Sequence, residues 1–343
     1  MAEEGVQSPF DIAQLSILGL FEGLAAYRRV VRLADETAAL AGREHPDVAV
    51  LIDSWGYTLR VAQRLRRLRP GMPIVKYVGP QVWASRPGRA RTLAGTVDHL
   101  LSIHAFDAPH FEREGLSVTF VGNPALARDL AEADGARCRR SVGLSDDTLL
   151  LLVAPGSRPG EVARLAEPFG DALVLLKAAH PDLQIVVPVA ETVADQVKAA
   201  AAAWPVRPYF VEGAAERADA MKAADAALAC SGTLTIELAL AGCPMVVAYR
   251  LGALTHLVLK RIIRTRYVTL FNIAAGREVA PELIQNDCTG PKLAAAVGAR
   301  LSDSALRDGQ RAEQWAALDK MGRGGPDPSD AAADAVLKLL QQP

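Results

Sequence analysis

Residues 149–161 read L-L-L-L-V-A-P-G-S-R-P-G-E, and this stretch indicates the fold class of the chain. An apolar run that ends in a glycine turn and a helix start is typical of a buried parallel strand leading into a helix. Gly156 permits close approach of the backbone, and Ser157 can cap the helix. The unpaired N–H groups of the first helical turn, together with Arg158, can hold a phosphate or another anion. The alternative is a well-capped strand–helix turn without a ligand.

Residues 226–237, A-A-L-A-C-S-G-T-L-T-I-E, repeat this strand–turn–helix pattern. Ser231, Gly232 and Thr233 are expected to leave backbone N–H groups exposed at a helix N-terminus. Glu237 follows one turn later, where a carboxylate can accept hydrogen bonds from ribose hydroxyls. Two such loops suggest a nucleotide diphosphate ligand. The alternative is a Ser/Thr-capped helix whose glutamate complements the helix dipole.

Short apolar runs of the same kind recur along the chain and alternate with stretches of helical periodicity. This alternation predicts parallel α/β sheets rather than a helix bundle or a β-sandwich. The predicted strands are residues 48–53, 74–78, 100–103, 118–121, 149–153, 185–189, 209–211, 226–229 and 245–249. Most are apolar throughout, which predicts strands that helices cover on both faces.

A charged, alanine-rich segment between residues 127 and 147 separates two series of strand–helix units. We therefore expect domains at residues 1–145 and 146–325. A Gly/Pro cluster at residues 322–328 precedes a last helix predicted at residues 331–340, and residues 326–343 are expected to pack back on the N-terminal domain. Because the first convincing strand begins only at residue 48, the first domain is expected to lack its opening β/α unit.

The composition excludes several classes of protein. The 38 Lys and Arg nearly balance the 39 Asp and Glu, and 5% of the residues are aromatic, which disfavours nucleic-acid binding. The four cysteines show neither a C-x-x-C pair nor a matching histidine spacing, which argues against a zinc site or a disulfide framework. The longest apolar stretch is too short to span a membrane, and the acidic N-terminus is unlike a signal peptide. We therefore expect a cytoplasmic protein.

Two further features carry chemistry. Asp53 ends the apolar run V-A-V-L-I-D, where a carboxylate is a candidate general base, although an aspartate after a strand is also a common helix N-cap. Residues 254–267, L-T-H-L-V-L-K-R-I-I-R-T-R-Y, form a basic amphipathic pattern that can lie on an anionic membrane. Leu257, Lys260, Arg261 and Arg264 are the candidate lipid contacts. The alternative is a core-facing helix with a solvated charged face.

Six stretches together resemble the lipid-A-disaccharide synthase family, which consists of inverting glycosyltransferases of the GT-B type. The resemblance covers nearly the whole chain. It rests on K-Y-V-G-P-Q-V-W-A-S-R (76–86), F-V-G-N-P (120–124), A-P-G-S-R-P-G-E (154–161), S-G-T-L-T-I-E (231–237), P-M-V-V-A-Y-R (244–250) and N-I-A-A-G-R-E-V-A-P-E-L-I-Q (272–285). It implies two Rossmann-like doubly wound domains, the first on the acceptor side and the second binding the UDP-sugar donor.

The resemblance also implies a reaction in which UDP-diacylglucosamine donates its sugar to diacylglucosamine 1-phosphate, forming a β-1,6 disaccharide and UDP. It makes Asp53 the catalytic base, without a metal or other cofactor. It implies peripheral association with the cytoplasmic face of the inner membrane and leaves homodimerisation open. The implied donor-binding residues are Gly156, Ser157, Arg158, Ser231, Gly232, Thr233, Glu237, Asn272, Arg277 and Glu278.

The departures from the family pattern lie in the N-terminal half. Gly56 stands in place of the second Asp of the family's I-D-x-P-D-F-N motif and Thr58 in place of its Asn. Gly79, Ser85 and Asn123 alter two further motifs, and the opening strand with its G-E-x-S-G-D loop has no counterpart. Two alternatives therefore stay open: a noncatalytic nucleotide-sugar-binding relic, and a GT-B enzyme with another UDP-sugar substrate.

Overall fold

The structure is a computed structural model that describes residues 5, 8–11, 20–127, 130–252, 263 and 265–341, with the backbone alone for residues 20–26. Leu257, Lys260, Arg261 and Arg264, the candidate lipid contacts, lie outside the described residues.

Strands and helices alternate along the described chain. The strands are β1 (Ala49–Ile52), β2 (Ile74–Tyr77), β3 (His99–Ser102), β4 (Ser117–Phe120), β5 (Leu150–Ala154), β6 (Gln184–Pro188), β7 (Tyr209–Val211), β8 (Ala226–Cys230), β9 (Met245–Tyr249) and β10 (Glu282–Ile284). The helices are α1 (Leu20–Glu44), α2 (Trp55–Leu68), α3 (Gly88–Ala94), α4 (Ala108–Glu112), α5 (Gly135–Ser141), α6 (Pro159–Ala179), α7 (Ala194–Ala201), α8 (Ala214–Ala223), α9 (Thr233–Leu240), α10 (Leu270–Ala275), α11 (Gly290–Ser302), α12 (Ser304–Lys320) and α13 (Pro328–Leu340).

The chain forms two compact units. One runs to Val121 and includes the segment from Pro328 onward, and the other is Gly122–Asp327. This division falls earlier than the expected boundary after residue 145, because α5 belongs to the second unit. Two ion pairs hold it there: Arg137 bonds to Asp219 at 2.5 Å and Arg139 to Asp225 at 3.0 Å.

The first unit contains a parallel sheet in the order β1-β2-β3-β4. One face packs on α1 and α2 through a core that includes Leu65 and Ile74. On the other face, α13 packs over the middle of the sheet against Val75 and Leu101. Most strands were expected to be covered on both faces, and β1 is an exception. It is an edge strand, and its Val50 and Ile52 remain 39% and 47% exposed.

The second unit contains a parallel sheet in the order β10-β9-β8-β5-β6-β7. Strands β5 and β8 are buried along their whole length. Helices α6, α7 and α11 cover one face, and α8, α9 and α12 cover the other. The strand order reverses between β5 and β8, since β6 and β7 extend the sheet on one side and β9 and β10 on the other. In doubly wound sheets, ligands bind outside the carboxyl ends of the strands at this switch point.

Candidate functional site

A cavity of about 320 Å³ opens at the switch point of the second unit. The ends of β5, β6 and β8 and the first turn of α9 contribute to its wall. Six of the residues that the sequence assigned to a donor site line this one cavity: Gly156, Ser157, Ser231, Gly232, Thr233 and Glu237. The two loops that the sequence analysis singled out therefore meet in space, because their strands are neighbours in the sheet.

A carboxylate from the first turn of α6 caps the loop between β5 and α6. Glu161 is 8% exposed, and its carboxylate accepts hydrogen bonds from the backbone N–H groups of Ser157 at 3.1 Å and Arg158 at 3.3 Å. Gly156 has a φ of +126°, and a Cβ there would lie 2.5 Å from the Cβ of Glu161. The glycine thus makes room for the glutamate, and the N–H groups that the sequence assigned to an anion are held by Glu161 itself.

The loop between β8 and α9 leaves its helix N-terminus open to the cavity. The N–H of Ser231 donates to the carbonyl of Ala248 at 3.1 Å. In the described part of the chain, no group accepts a hydrogen bond from the N–H of Thr233 or Leu234, which both line the cavity. Because the N-terminal end of a helix carries a partial positive charge, this wall suits an anionic ligand.

Arg217 on α8 also lines the cavity, although the sequence analysis did not identify it. Its Nε is buried and finds no acceptor among the described residues. A second cavity of about 410 Å³ in the same unit is also lined by Arg217 and Glu237. A guanidinium with an unsatisfied donor beside a cavity is suited to a phosphate group. No local pattern in A-E-R-A-D marks this arginine, because only the sheet order brings α8 next to the two loops.

Asn272 has a structural position rather than one at the cavity. Its side chain is fully buried, and its Oδ1 accepts hydrogen bonds from the N–H groups of Val279 at 2.8 Å and Ala280 at 3.0 Å. Its Nδ2 donates to the Ala280 carbonyl and to Glu282, both at 2.8 Å. All the hydrogen-bonding groups of its amide are thus engaged inside the fold, and we assign it to holding the segment after α10.

Arg277 and Glu278, the other two residues of that motif, are exposed and do not line the cavity. Arg277 pairs with Glu313 on α12 at 2.7 Å. Arg158 is also absent from the cavity wall, and its guanidinium, 63% exposed, lies 3.0 Å from Glu161. Three of the residues that the resemblance assigned to the donor site, namely Arg158, Arg277 and Glu278, therefore do not line this cavity.

In the first unit, Asp53 stands at the carboxyl end of β1 with an exposed side chain. Asp53 and Ser54 both have a φ of 44°, in the left-handed region, which costs about 1 kcal/mol or more for such residues. The carbonyl of Asp53 accepts hydrogen bonds from the Thr58 hydroxyl at 2.7 Å and from Lys76 Nζ. This turn presents the carboxylate outward while its backbone is bonded inward.

A buried polar cluster follows β3 in the same unit. The Asp107 carboxylate accepts hydrogen bonds from Trp83 Nε1 and from the Ser102 hydroxyl, both at 2.8 Å. Burial raises the pKa of Asp107 to about 6. The His104 ring stacks on Phe106 at 4.9 Å, and burial lowers the pKa of His104 to about 4. Burial thus disfavours the charged form of each group, which raises the pKa of the acid and lowers the pKa of the imidazole.

No three His, Cys, Asp or Glu side chains of the described ranges are grouped so that they could hold a metal ion. None of the helices in the part of the chain that the structure describes is long and apolar enough to cross a membrane.

Comparison with known proteins gives one consistent result. The family model described as lipid-A-disaccharide synthetase matches residues 1–324. The lipid-A-disaccharide synthase of Rhodospirillum centenum is 43% identical over 99% of this chain and 85% of its own length. That of Paramagnetospirillum magneticum is 41% identical over 100% of this chain and 88% of its own.

Solved structures show similarity at the level of the fold. A UDP-GlcNAc 2-epimerase from Neisseria meningitidis, bound to UDP-GlcNAc, has a TM-score of 0.59 at 12% identity and covers 98% of this chain and 86% of its own. An S. aureus MnaA–UDP structure has a TM-score of 0.58 at 15% identity, over 90% of this chain and 79% of its own. The two Rossmann-like domains of the GT-B type, expected from the sequence, are thereby confirmed.

Proposed function

This chain belongs to the lipid-A-disaccharide synthase family of glycosyltransferases, and we propose that it catalyses the reaction for which that family is named. UDP-2,3-diacylglucosamine is the donor and 2,3-diacylglucosamine 1-phosphate the acceptor. The products are the β-1,6-linked disaccharide 1-phosphate and UDP. The observation that carries the proposal is the cavity at the switch point of the second unit, together with family matches over essentially the whole chain.

The donor is proposed to bind in that cavity. The N–H groups of Thr233 and Leu234 and the guanidinium of Arg217 are the groups suited to its diphosphate, because they are donors without an acceptor among the described residues. Glu237, which is 9% exposed and lines the same cavity, is suited to the ribose hydroxyls. Ser157 and Gly232 also line the cavity.

Asp53 is the proposed catalytic base. Its carboxylate takes the proton of the acceptor 6-hydroxyl as that oxygen forms a bond to the anomeric carbon of the donor sugar. The bond between this carbon and the UDP oxygen breaks, and the electron pair leaves with UDP. Attack from the side opposite the leaving group inverts the anomeric centre. Donors aimed at the diphosphate stabilise the charge that develops on the leaving group.

Acylated substrates imply work at a membrane surface, and we include peripheral association with the inner membrane in the proposal. The basic amphipathic sequence at residues 254–267 supports it. The noncatalytic alternative and the alternative of another UDP-sugar are less favoured. Relatives that are 43% and 41% identical over nearly the full chain carry the same enzyme name.

The test is a turnover assay with the purified chain in detergent micelles. Both acylated substrates are supplied, and the disaccharide 1-phosphate and UDP are quantified by mass spectrometry. Parallel reactions contain UDP-GlcNAc as a donor without acyl chains. Product from the acylated pair alone supports the proposal. Turnover of UDP-GlcNAc with a non-lipid acceptor would favour another substrate, and UDP binding without any turnover would favour the noncatalytic relic.

A further inference from the structure

Lys76 is buried directly beneath the turn that carries Asp53. The residue is 2% exposed, and its Nζ donates hydrogen bonds to the carbonyl of Asp53 and to the hydroxyl of Thr58, the latter at 2.9 Å. The Thr58 hydroxyl in turn donates to the same carbonyl at 2.7 Å. An ammonium group taken out of water is unfavourable unless it is well compensated. Packing alone therefore does not explain why the Lys76 ammonium is buried beneath the exposed carboxylate of Asp53.

The turn itself shows what Lys76 does. Asp53 and Ser54 are consecutive left-handed residues, and this conformation rotates the Asp53 carbonyl into the protein. The N–H of Asp53 donates to the carbonyl of Tyr77 at 3.0 Å. Strand β2 thus holds the peptide groups on both sides of the Asp53 Cα, one through its backbone and one through the side chain of Lys76.

The ammonium bonds the backbone carbonyl of Asp53 and leaves the carboxylate free to accept a proton. Burial lowers the pKa of Lys76 to about 8, and the charge of the Asp53 carboxylate opposes part of this lowering. Thr58 on α2 is the other polar group that contacts Nζ. Because the Thr58 hydroxyl itself donates to the Asp53 carbonyl, both partners of Lys76 belong to the turn at Asp53.

We propose that Lys76 is a positioning residue for Asp53: with Thr58, it fixes the left-handed turn that aims the carboxylate at the acceptor hydroxyl. The inference rests on the proposed function, in which Asp53 is the base. A base that is misplaced by a fraction of an ångström loses rate without losing substrate affinity.

The experiment compares Lys76→Met, Thr58→Val and the control Thr96→Val. Thr96 is also a buried threonine of the first unit, whose hydroxyl donates to the Thr92 carbonyl at 2.7 Å. We expect Lys76→Met to lower kcat roughly tenfold or more, with KM within about twofold. Thr58→Val should act in the same direction and Thr96→Val should change neither constant. Hydrogen exchange of a peptide spanning residues 49–58 should become faster in the first two variants.

A double variant separates positioning from an independent effect. In an Asp53→Asn background, Lys76→Met should lower kcat no further, because both changes disable the same step. A folded Lys76→Met chain with unchanged kcat and unchanged exchange would overturn the proposal, as would an undiminished effect in the Asp53→Asn background. If Lys76→Met does not fold, Thr58→Val alone decides by the same two measurements.

Failure of the proposed function gives a different result. If the wild-type chain turns nothing over, the assignment of the reaction fails; if the chain is active but Asp53→Asn retains full kcat, Asp53 is not the base. The exchange measurement still reports whether Lys76 holds the turn, since it requires no substrate. Faster exchange in Lys76→Met then supports the inference that Lys76 fixes the turn at Asp53. Unchanged exchange overturns that inference.

Discussion

The Glu161 carboxylate accepts a hydrogen bond from the Arg158 guanidinium at 3.0 Å while it also holds the N–H of Ser157 at 3.1 Å. This loop, whose sequence indicates a possible phosphate-binding turn, thus already contains an anion, supplied by the third residue after its arginine. In such loops, the helix N-terminus is satisfied from within the chain. An incoming diphosphate then depends on donors from elsewhere in the cavity, and Thr233 and Arg217 offer them.

Removal of the Glu161 carboxylate is expected to destabilise the second unit. Glu161→Ala leaves the N–H groups of Ser157 and Arg158 without their acceptor, which we expect to lower the free energy of unfolding by about 1 kcal/mol. Chemical denaturation measures the change. Glu167→Ala is the matched control, because Glu167 lies on the same helix with an exposed side chain. Equal midpoints for the two variants would show that the internal cap contributes nothing.

Arg217 is expected to bind the diphosphate of the donor. Arg217→Met should weaken UDP binding roughly tenfold or more, since a hydrogen bond to a charged group is worth about 1.5–3 kcal/mol. Uridine, which has no phosphate, should bind both forms equally in calorimetry. Arg207→Met, at an exposed arginine outside the cavity wall, serves as the control. A parallel loss of uridine affinity would point to a damaged pocket instead of a lost phosphate contact.

Periodicity and turn chemistry were sufficient to predict most of the fold. All nine predicted strands are present, because apolar runs between glycine-rich turns mark strands buried in parallel sheets. Strand β10 was missed, since its three residues E-L-I are too few to form a pattern. The structure divides the chain after Val121 and not after residue 145, a difference that the sequence could not indicate because the partners of Arg137 and Arg139 lie more than eighty residues away along the chain.

The candidate site, too, contains residues that the sequence predicts and residues that it does not. Residues in loops directly after β5 and β8 were predictable, because the switch-point rule fixes where those loops lie. Arg217 was not predictable, because only the sheet order brings α8 and this side chain to the cavity. Asn272 belongs to a motif of the resemblance, but a motif does not distinguish a ligand contact from a saturated interior amide. Such distinctions need burial and hydrogen-bond partners.

Asp53→Asn is expected to lower kcat by about 10²–10⁴, the usual contribution of a general base, while UDP affinity stays unchanged. The amide is close in shape to the carboxylate but cannot take the acceptor proton. Single-turnover assays with the acylated substrates measure the loss. Asp47→Asn is the matched control, because Asp47 is an exposed aspartate just before β1, at its opposite end. Turnover that is equal in the two variants would remove Asp53 from the mechanism.

The free energy of unfolding of Asp107→Asn, relative to that of the wild type, is expected to be higher at pH 7 than at pH 4. Burial raises the pKa of Asp107 to about 6 from 3.8, so between these values the folded state binds more protons than the unfolded state. Stability from this group therefore falls as the pH rises through that window, by up to about 3 kcal/mol.

His104, with its pKa lowered to about 4, gives the opposite slope between pH 4 and 6.5 and conceals the effect in the wild-type chain. The variant keeps the His104 slope alone, so its unfolding free energy should rise with pH relative to the wild type in denaturation at both pH values. A difference that is independent of pH would show that Asp107 is ionised in the folded state as readily as in the unfolded one.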